Sequence, residues 1–171
     1  MLIKKSLKNI ILIFLVIIYS CERDQPVFGE NGMVVSTSSQ ASQVGIDIMK
    51  AGGNAIDAAA TVGFALAVTS SSNGNIGGGG FMTVKLENGN SFTLDYREMA
   101  PKAASRNMYL DRDGNVIKGK SRYTHFAAGV PGSVDGLLKA WRDYGSGNIS
   151  REQLLNPAIN LAENGFKLSK Y

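Results

Sequence analysis

Four consecutive glycines, Gly77-Gly78-Gly79-Gly80, run directly into the alternating segment Phe81-Met82-Thr83-Val84-Lys85-Leu86. Such alternation of apolar and polar residues predicts a strand with one buried face. Glycines before a strand let the chain lie against another backbone, or take positive φ, at an entropic cost. Phosphate binding does not fit. No G-x-G-x-x-G pattern can be laid over residues 74–80, and no Lys-Ser or Lys-Thr follows as a P-loop needs. The glycines also precede a strand, whereas phosphate loops open a helix. The block therefore predicts a strand held close to a neighbour. Glu87-Asn88-Gly89-Asn90 comes next, and Asn-Gly predicts a type I′ hairpin to a second antiparallel strand over 91–95. Arg97 stands just past that strand, in loop territory where function concentrates.

Helices are predicted on both sides. Met33-Val34-Val35 reads as a short first strand, and 41–51 as a helix with Val44, Ile48 and Ala51 on one face, stopped by Gly52-Gly53. Asn54 is the predicted N-cap of a helix over 55–68, with Asp57 at its third position facing the positive end of the helix dipole. That helix is mostly alanine, valine, leucine and phenylalanine, which predicts burial all round. Ser133 reads as the N-cap of a helix whose apolar face is Val134, Leu137, Leu138 and Trp141, ended by Gly145. Ser150 and Gln153 form a capping box opening a further helical turn. Pro157 reads as the first position of a last helix, closed by Gly165 with Phe166 packing back. Helices and strands together predict an α/β or α+β class.

The N-terminus has a different character. Lys4, Lys5 and Lys8 precede nine apolar residues over 10–18, too short to span a bilayer but suited to a signal-peptide core. The run ends Ile18-Tyr19-Ser20-Cys21, which resembles a bacterial lipobox, so lipidation is expected at Cys21. With a single cysteine no internal disulfide can form. We expect residues 1–20 to be a lipoprotein-type signal, 21–31 a tether and 32–171 one domain. The formal charge of +4 reflects the leader, since the remainder carries 15 basic and 14 acidic residues. Nothing in it forms the basic, aromatic-interleaved face of a nucleic-acid binder.

Few residues offer chemistry on their own. His125 is the only histidine, so no metal site can be assembled from histidine and cysteine, and no G-x-S-x-G elbow supports a triad through it. Asp111-Arg112-Asp113-Gly114-Asn115 lacks the glycine position and terminal glutamate of an EF-hand and reads as a plain turn. For Arg97, composition alone predicts a surface ion pair with Asp95 or Glu98.

Five ordered blocks change that reading. They are Gly52-Gly53-Asn54-Ala55-Ile56-Asp57-Ala58-Ala59, Ile76-Gly77-Gly78-Gly79-Gly80-Phe81-Met82, Asp95-Tyr96-Arg97-Glu98-Met99-Ala100-Pro101, Gly129-Val130-Pro131-Gly132-Ser133-Val134 and Pro157-Ala158-Ile159-Asn160-Leu161-Ala162-Glu163-Asn164-Gly165-Phe166. Together they resemble the N-terminal part of the gamma-glutamyltransferase large subunit, in the right order across 32–171. The resemblance implies a portion of the four-layer αββα sandwich of N-terminal-nucleophile hydrolases, with no metal or organic cofactor. It implies that Arg97 grips the α-carboxylate of a γ-glutamyl substrate such as glutathione, a task suited to the bidentate guanidinium fork. It also implies a precursor that cuts itself, freeing a threonine at the start of a small subunit. That threonine attacks the γ-glutamyl carbonyl with its own amine as base, and the acyl group passes to water, an amino acid or a peptide. No Thr-Thr-His occurs here, so the nucleophile is expected beyond Tyr171, and this segment alone should be inactive. The lipobox adds the expectation of a membrane-anchored protein facing the periplasm or cell surface. Two alternatives stand beside this reading: a glutaryl-accepting cephalosporin acylase of the same family, and a non-catalytic lipoprotein that binds γ-glutamyl compounds.

Overall fold

The structure, a computed structural model, describes residues 26–168. The expected signal sequence, and Cys21 with it, lie outside the described residues. Residues 26–31 belong to a unit separate from the one that begins at Gly32, and they are exposed with no helix or strand. All that follows concerns the second unit.

Its elements are α1 (Ser39–Lys50), α2 (Ala55–Thr69), β1 (Phe81–Lys85), β2 (Ser91–Asp95), the single turn α3 (Lys120–Tyr123), α4 (Ser133–Tyr144) and α5 (Arg151–Asn164). Helices around an antiparallel strand pair make it a mixed α+β arrangement, as the sequence predicts.

Helix α2 is the hub. Ile56, Ala58, Ala60, Thr61, Val62, Phe64 and Ala65 are all buried, so the helix is covered on nearly every side. It packs on α1, α4 and α5, and the main core joins Ile48, Phe64, Leu137, Ile149 and Leu154. Close approach is written into mid-helix glycines. A Cβ on Gly45 would come 2.7 Å from Val62, and one on Gly63 would come 2.8 Å from Leu137. Glycine inside a helix costs about 1 kcal/mol relative to alanine. Here that cost is offset by contact between neighbouring helices.

The N-terminus of α2 is fastened to the far end of α4. Asn54 accepts from the Ile56 and Asp57 backbones, and Asp57 Oδ2 accepts back from Asn54 N–H at 2.8 Å, completing a capping box. The same Asp57 oxygen accepts from Ser146 N–H at 2.9 Å, and the Asn54 amide donates to the Tyr144 carbonyl at 2.9 Å. Asp57 is fully buried. Its other oxygen has no hydrogen-bond partner among the described residues and lies where a Cβ on Gly145 would overlap it.

β1 and β2 pair antiparallel from Phe81 opposite Asp95 to Lys85 opposite Ser91. Met82, Val84, Phe92 and Leu94 face inward against Ile56, Ala140 and Tyr144, and the Phe92 and Tyr144 rings stack 4.0 Å apart.

Several expectations are corrected. The 33–35 segment is no strand, because no neighbour among the described residues pairs with it; Val34 packs instead beside Ala41, Val62 and Ala65. Helix α1 starts two residues early because Ser38 caps it, its side chain accepting from Ala41 N–H. The hairpin turn is not type I′, since Gly89 alone takes positive φ (86°). Gly89 N–H donates to Leu86 O at 3.0 Å and Leu86 N–H to Asn90 O at 2.8 Å, so the loop has three residues and requires one left-handed position rather than two. The N-cap of α4 is Gly132, with Ser133 buried as the first helical residue and Val134 on the exposed side. Pro157 does not start a helix. The Ser150–Gln153 capping box opens one continuous α5, and Pro157 lies inside it. Its ring sits two turns in, where it forgoes one backbone hydrogen bond while Leu154 and Ala158 stay buried.

Candidate functional site

Arg97 is placed by glycines. Pairing of the two strands continues past β1 into the glycine block: Tyr96 N–H donates to Gly80 O at 3.0 Å and Gly80 N–H to Tyr96 O at 3.4 Å. None of the four glycines takes positive φ, so their use here is close approach. A Cβ on Gly79 would stand 2.6–2.8 Å from the Tyr96 carbonyl, Arg97 Cα and Glu98 N. From the other side comes the start of α4. The Gly132 and Ser133 N–H groups both donate to Gly78 O, at 2.9 and 3.0 Å, so the glycine block supplies the acceptor that no side chain provides at this helix start. A Cβ on Gly132 would overlap the Tyr96 carbonyl, and one on Gly136 would overlap the Tyr96 side chain. Beyond the turn, Met99 and Val130 exchange backbone hydrogen bonds at 3.1 and 2.8 Å.

Asp95 turns the chain at the end of β2 by accepting from Arg97 N–H at 3.0 Å. That leaves Glu98 as the side-chain partner: Arg97 Nε lies 3.3 Å from Glu98 Oε2. A hydrogen bond from its own backbone N–H, and then one from Arg97, hold the Glu98 carboxyl below the ordinary glutamate range. The guanidinium carbon sits 5.8 Å from the Phe81 ring centre, within cation–π range. The two terminal nitrogens of Arg97 make no hydrogen bond among the described residues, and its side chain is 60% exposed. A guanidinium held by its Nε edge and lying against an aromatic face presents its remaining donors to a carboxylate.

A cleft of about 310 Å³ opens beside it, walled by Asp95, Tyr96, Arg97, Pro131, Asp135 and Lys139. Lys139 is tied to Asp143 one turn along α4, which raises the Lys139 ammonium and lowers the Asp143 carboxyl from their usual values. Burial pushes the Tyr96 phenol up.

Other sequence candidates gather no chemistry. His125 lies exposed in a short 3-10 turn against Phe126, and no cluster of histidine, cysteine and carboxylates fit for a metal occurs among the described residues. Thr124 uses its hydroxyl locally, donating to Lys120 O and accepting from Phe126 N–H. Asp111 closes a tight turn by accepting from Asp113 and Asn115 N–H. The sequence reading missed the part Tyr96 plays. Its signal was Gly136, a helix-interior glycine that packing alone explains.

Comparison with known proteins gives the same blocks a context. The family model described as Gamma-glutamyltranspeptidase matches residues 41–171. The glutathione hydrolase proenzyme of Pseudomonas sp. (strain A14) is 56% identical over 145 residues, 85% of this chain and 25% of that protein. Among solved structures, the gamma-glutamyltranspeptidase of Helicobacter pylori superposes with a TM-score of 0.78 at 45% identity, covering 85% of this chain and 41% of that one. The cephalosporin acylase of Bacillus halodurans superposes at 0.72 with 30% identity, covering 87% and 27%. The chain spans about a quarter of the length of the curated relatives it matches.

Proposed function

The chain belongs to the gamma-glutamyltranspeptidase family, and from that premise we propose that it is the N-terminal part of the large subunit of a self-processing glutathione hydrolase. In this reading the complete protein cleaves the γ-glutamyl amide of glutathione and related compounds and passes the acyl group to water, an amino acid or a peptide. The observation that carries it is Arg97, anchored through Nε and backed by Phe81, with its outer donors turned to solvent at the edge of a cleft. Such a fork receives the α-carboxylate of the glutamyl group and so fixes the γ-carbonyl for attack.

The nucleophilic threonine belongs, in this proposal, to the portion of the precursor that the present segment does not span. The coverage figures support processing. The same segment is 41% of the solved Helicobacter pylori chain but only 25% of the Pseudomonas proenzyme, as expected where a precursor is cut into a large and a small subunit. The acylase fold is shared, yet identity is 30% there against 56% for the glutathione hydrolase. Glutaryl keeps the terminal carboxylate and lacks only the α-amine, so Arg97 would serve either acyl group and the difference in identity is what favours the hydrolase. We further propose export and membrane anchoring through lipidated Cys21, on the strength of the leader sequence.

The test is the full-length gene product. It should contain a Thr-Thr-His-type junction, mature into two subunits and release the aniline from a γ-glutamyl anilide. Replacing the junction threonine by alanine should abolish both maturation and turnover. A precursor that still cuts itself after that change would overturn the assignment. Mass spectrometry of the mature N-terminus should find acylated Cys21.

A further inference from the structure

We propose that Tyr96 is a positioning residue for Arg97, its ring clamped in a seat of glycines so that the guanidinium has one place to stand. The inference rests on the reading of Arg97 as the carboxylate grip. Tyr96 touches glycine on several sides: its carbonyl against Gly79 and Gly132, its ring against Gly80 and Gly136. The seat comes from three parts of the chain, namely the glycine block, the approach to α4 and the second turn of α4. A Cβ on Gly80 would lie 2.9 Å from the ring, and one on Gly136 would overlap it. Beyond the backbone pairing with Gly80, little of what holds the ring is polar, since the hydroxyl reaches only the Phe81 carbonyl at 3.4 Å. Position is therefore set by shape. Phe81 carries the same geometry outward, because it follows Gly80 and lies within cation–π range of the Arg97 guanidinium.

The backbone of Tyr96 and Arg97 is continuous, so a ring that can shift lets the guanidinium swing. Displacement of a positioning group by about 1 Å can cost on the order of 100-fold in rate. The ring itself need not touch substrate.

The test compares kcat/KM of the matured full-length enzyme on a γ-glutamyl anilide and on the 4-aminobutanoyl anilide, which lacks the α-carboxylate. Tyr96→Phe should stay near wild type, because the ring remains. Tyr96→Ala should lose roughly 10- to 100-fold on the γ-glutamyl substrate, with KM carrying most of the change, and stay within about twofold on the other. In an Arg97→Ala background, Tyr96→Ala should add almost nothing, because the two act as one unit. Equal losses on both substrates, or losses that multiply in the double variant, would overturn the proposal. If Tyr96→Ala does not mature, Tyr96→Leu, which keeps bulk without the flat ring, decides by the same ratio. Failure of both to mature also overturns it, because the ring would then serve folding. Arg97→Ala separates the two levels. If it is neutral, the carboxylate reading itself falls; if it is selective while Tyr96→Ala is not, only the positioning role falls.

Discussion

Two side chains carry the argument at the scale of single residues, and they are held in opposite ways. Arg97 is exposed and lightly tethered, as the proposed carboxylate contact requires. Losing one partner of a hydrogen-bonded charge pair typically costs about 2–5 kcal/mol where water is excluded. Arg97→Ala should therefore reduce kcat/KM on γ-glutamyl substrates by about 30-fold or more while leaving self-cleavage intact. Arg97→Lys should recover only part, since an ammonium cannot reproduce the fork. Both are read from initial rates with and without the α-carboxylate. Asp57 is the reverse case, sealed from solvent and spent on structure. Its removal strands the Asn54 and Ser146 N–H groups together. Asp57→Ala should destabilise by about 2–4 kcal/mol, seen as a lower midpoint in urea unfolding of the matured protein. The sequence disclosed Asp57 as an acid facing the helix dipole but not as a bridge to Ser146, because a contact spanning 89 positions leaves no local pattern. Arg97 was legible only through the order of blocks around it, since a lone arginine after a strand has no signature of its own.

Elements were legible where their ends carry chemistry. Ser150 and Asn54 announced the helices they cap, and Gly89 announced the hairpin. Where a distant group supplies the cap, the sequence misled. Ser133 looks like an N-cap, but the acceptor for the first N–H groups of α4 is the Gly78 carbonyl, more than fifty residues away. Pro157 misled for a related reason: an upstream capping box had already started the helix that contains it. The hairpin supplies a clean measurement. A Cβ on Gly89 meets nothing within 4 Å, so Gly89→Ala tests backbone strain alone at φ 86°. The substitution should cost about 1–2 kcal/mol, measured by thermal unfolding, and leave kcat/KM unchanged.

At the scale of the whole unit, too much apolar surface remains open for a finished domain. Phe81, Met99, Ile76 and Val130 are each more than half exposed, and a largely apolar hollow of about 420 Å³ lies between Met49, Leu66 and Phe81. A two-stranded sheet is marginal unless more strands or helices cover it. Residues 32–171 expressed alone should bind hydrophobic dyes and lack a sharp thermal transition; dispersed amide resonances with cooperative melting would contradict this. One feature of the helices bears on attempts to toughen the protein. Exchanging helix-interior glycine for alanine is a common route to greater heat resistance, worth up to about 1 kcal/mol per site. Here Gly45, Gly63 and Gly136 would be the obvious choices, and each lies where a neighbour already fills the space a methyl needs. A consensus-style redesign would therefore wedge the bundle apart at its tightest crossings, and in the case of Gly136 would unseat Tyr96, the residue beside Arg97. Gains in heat tolerance must come from the solvent-facing positions instead.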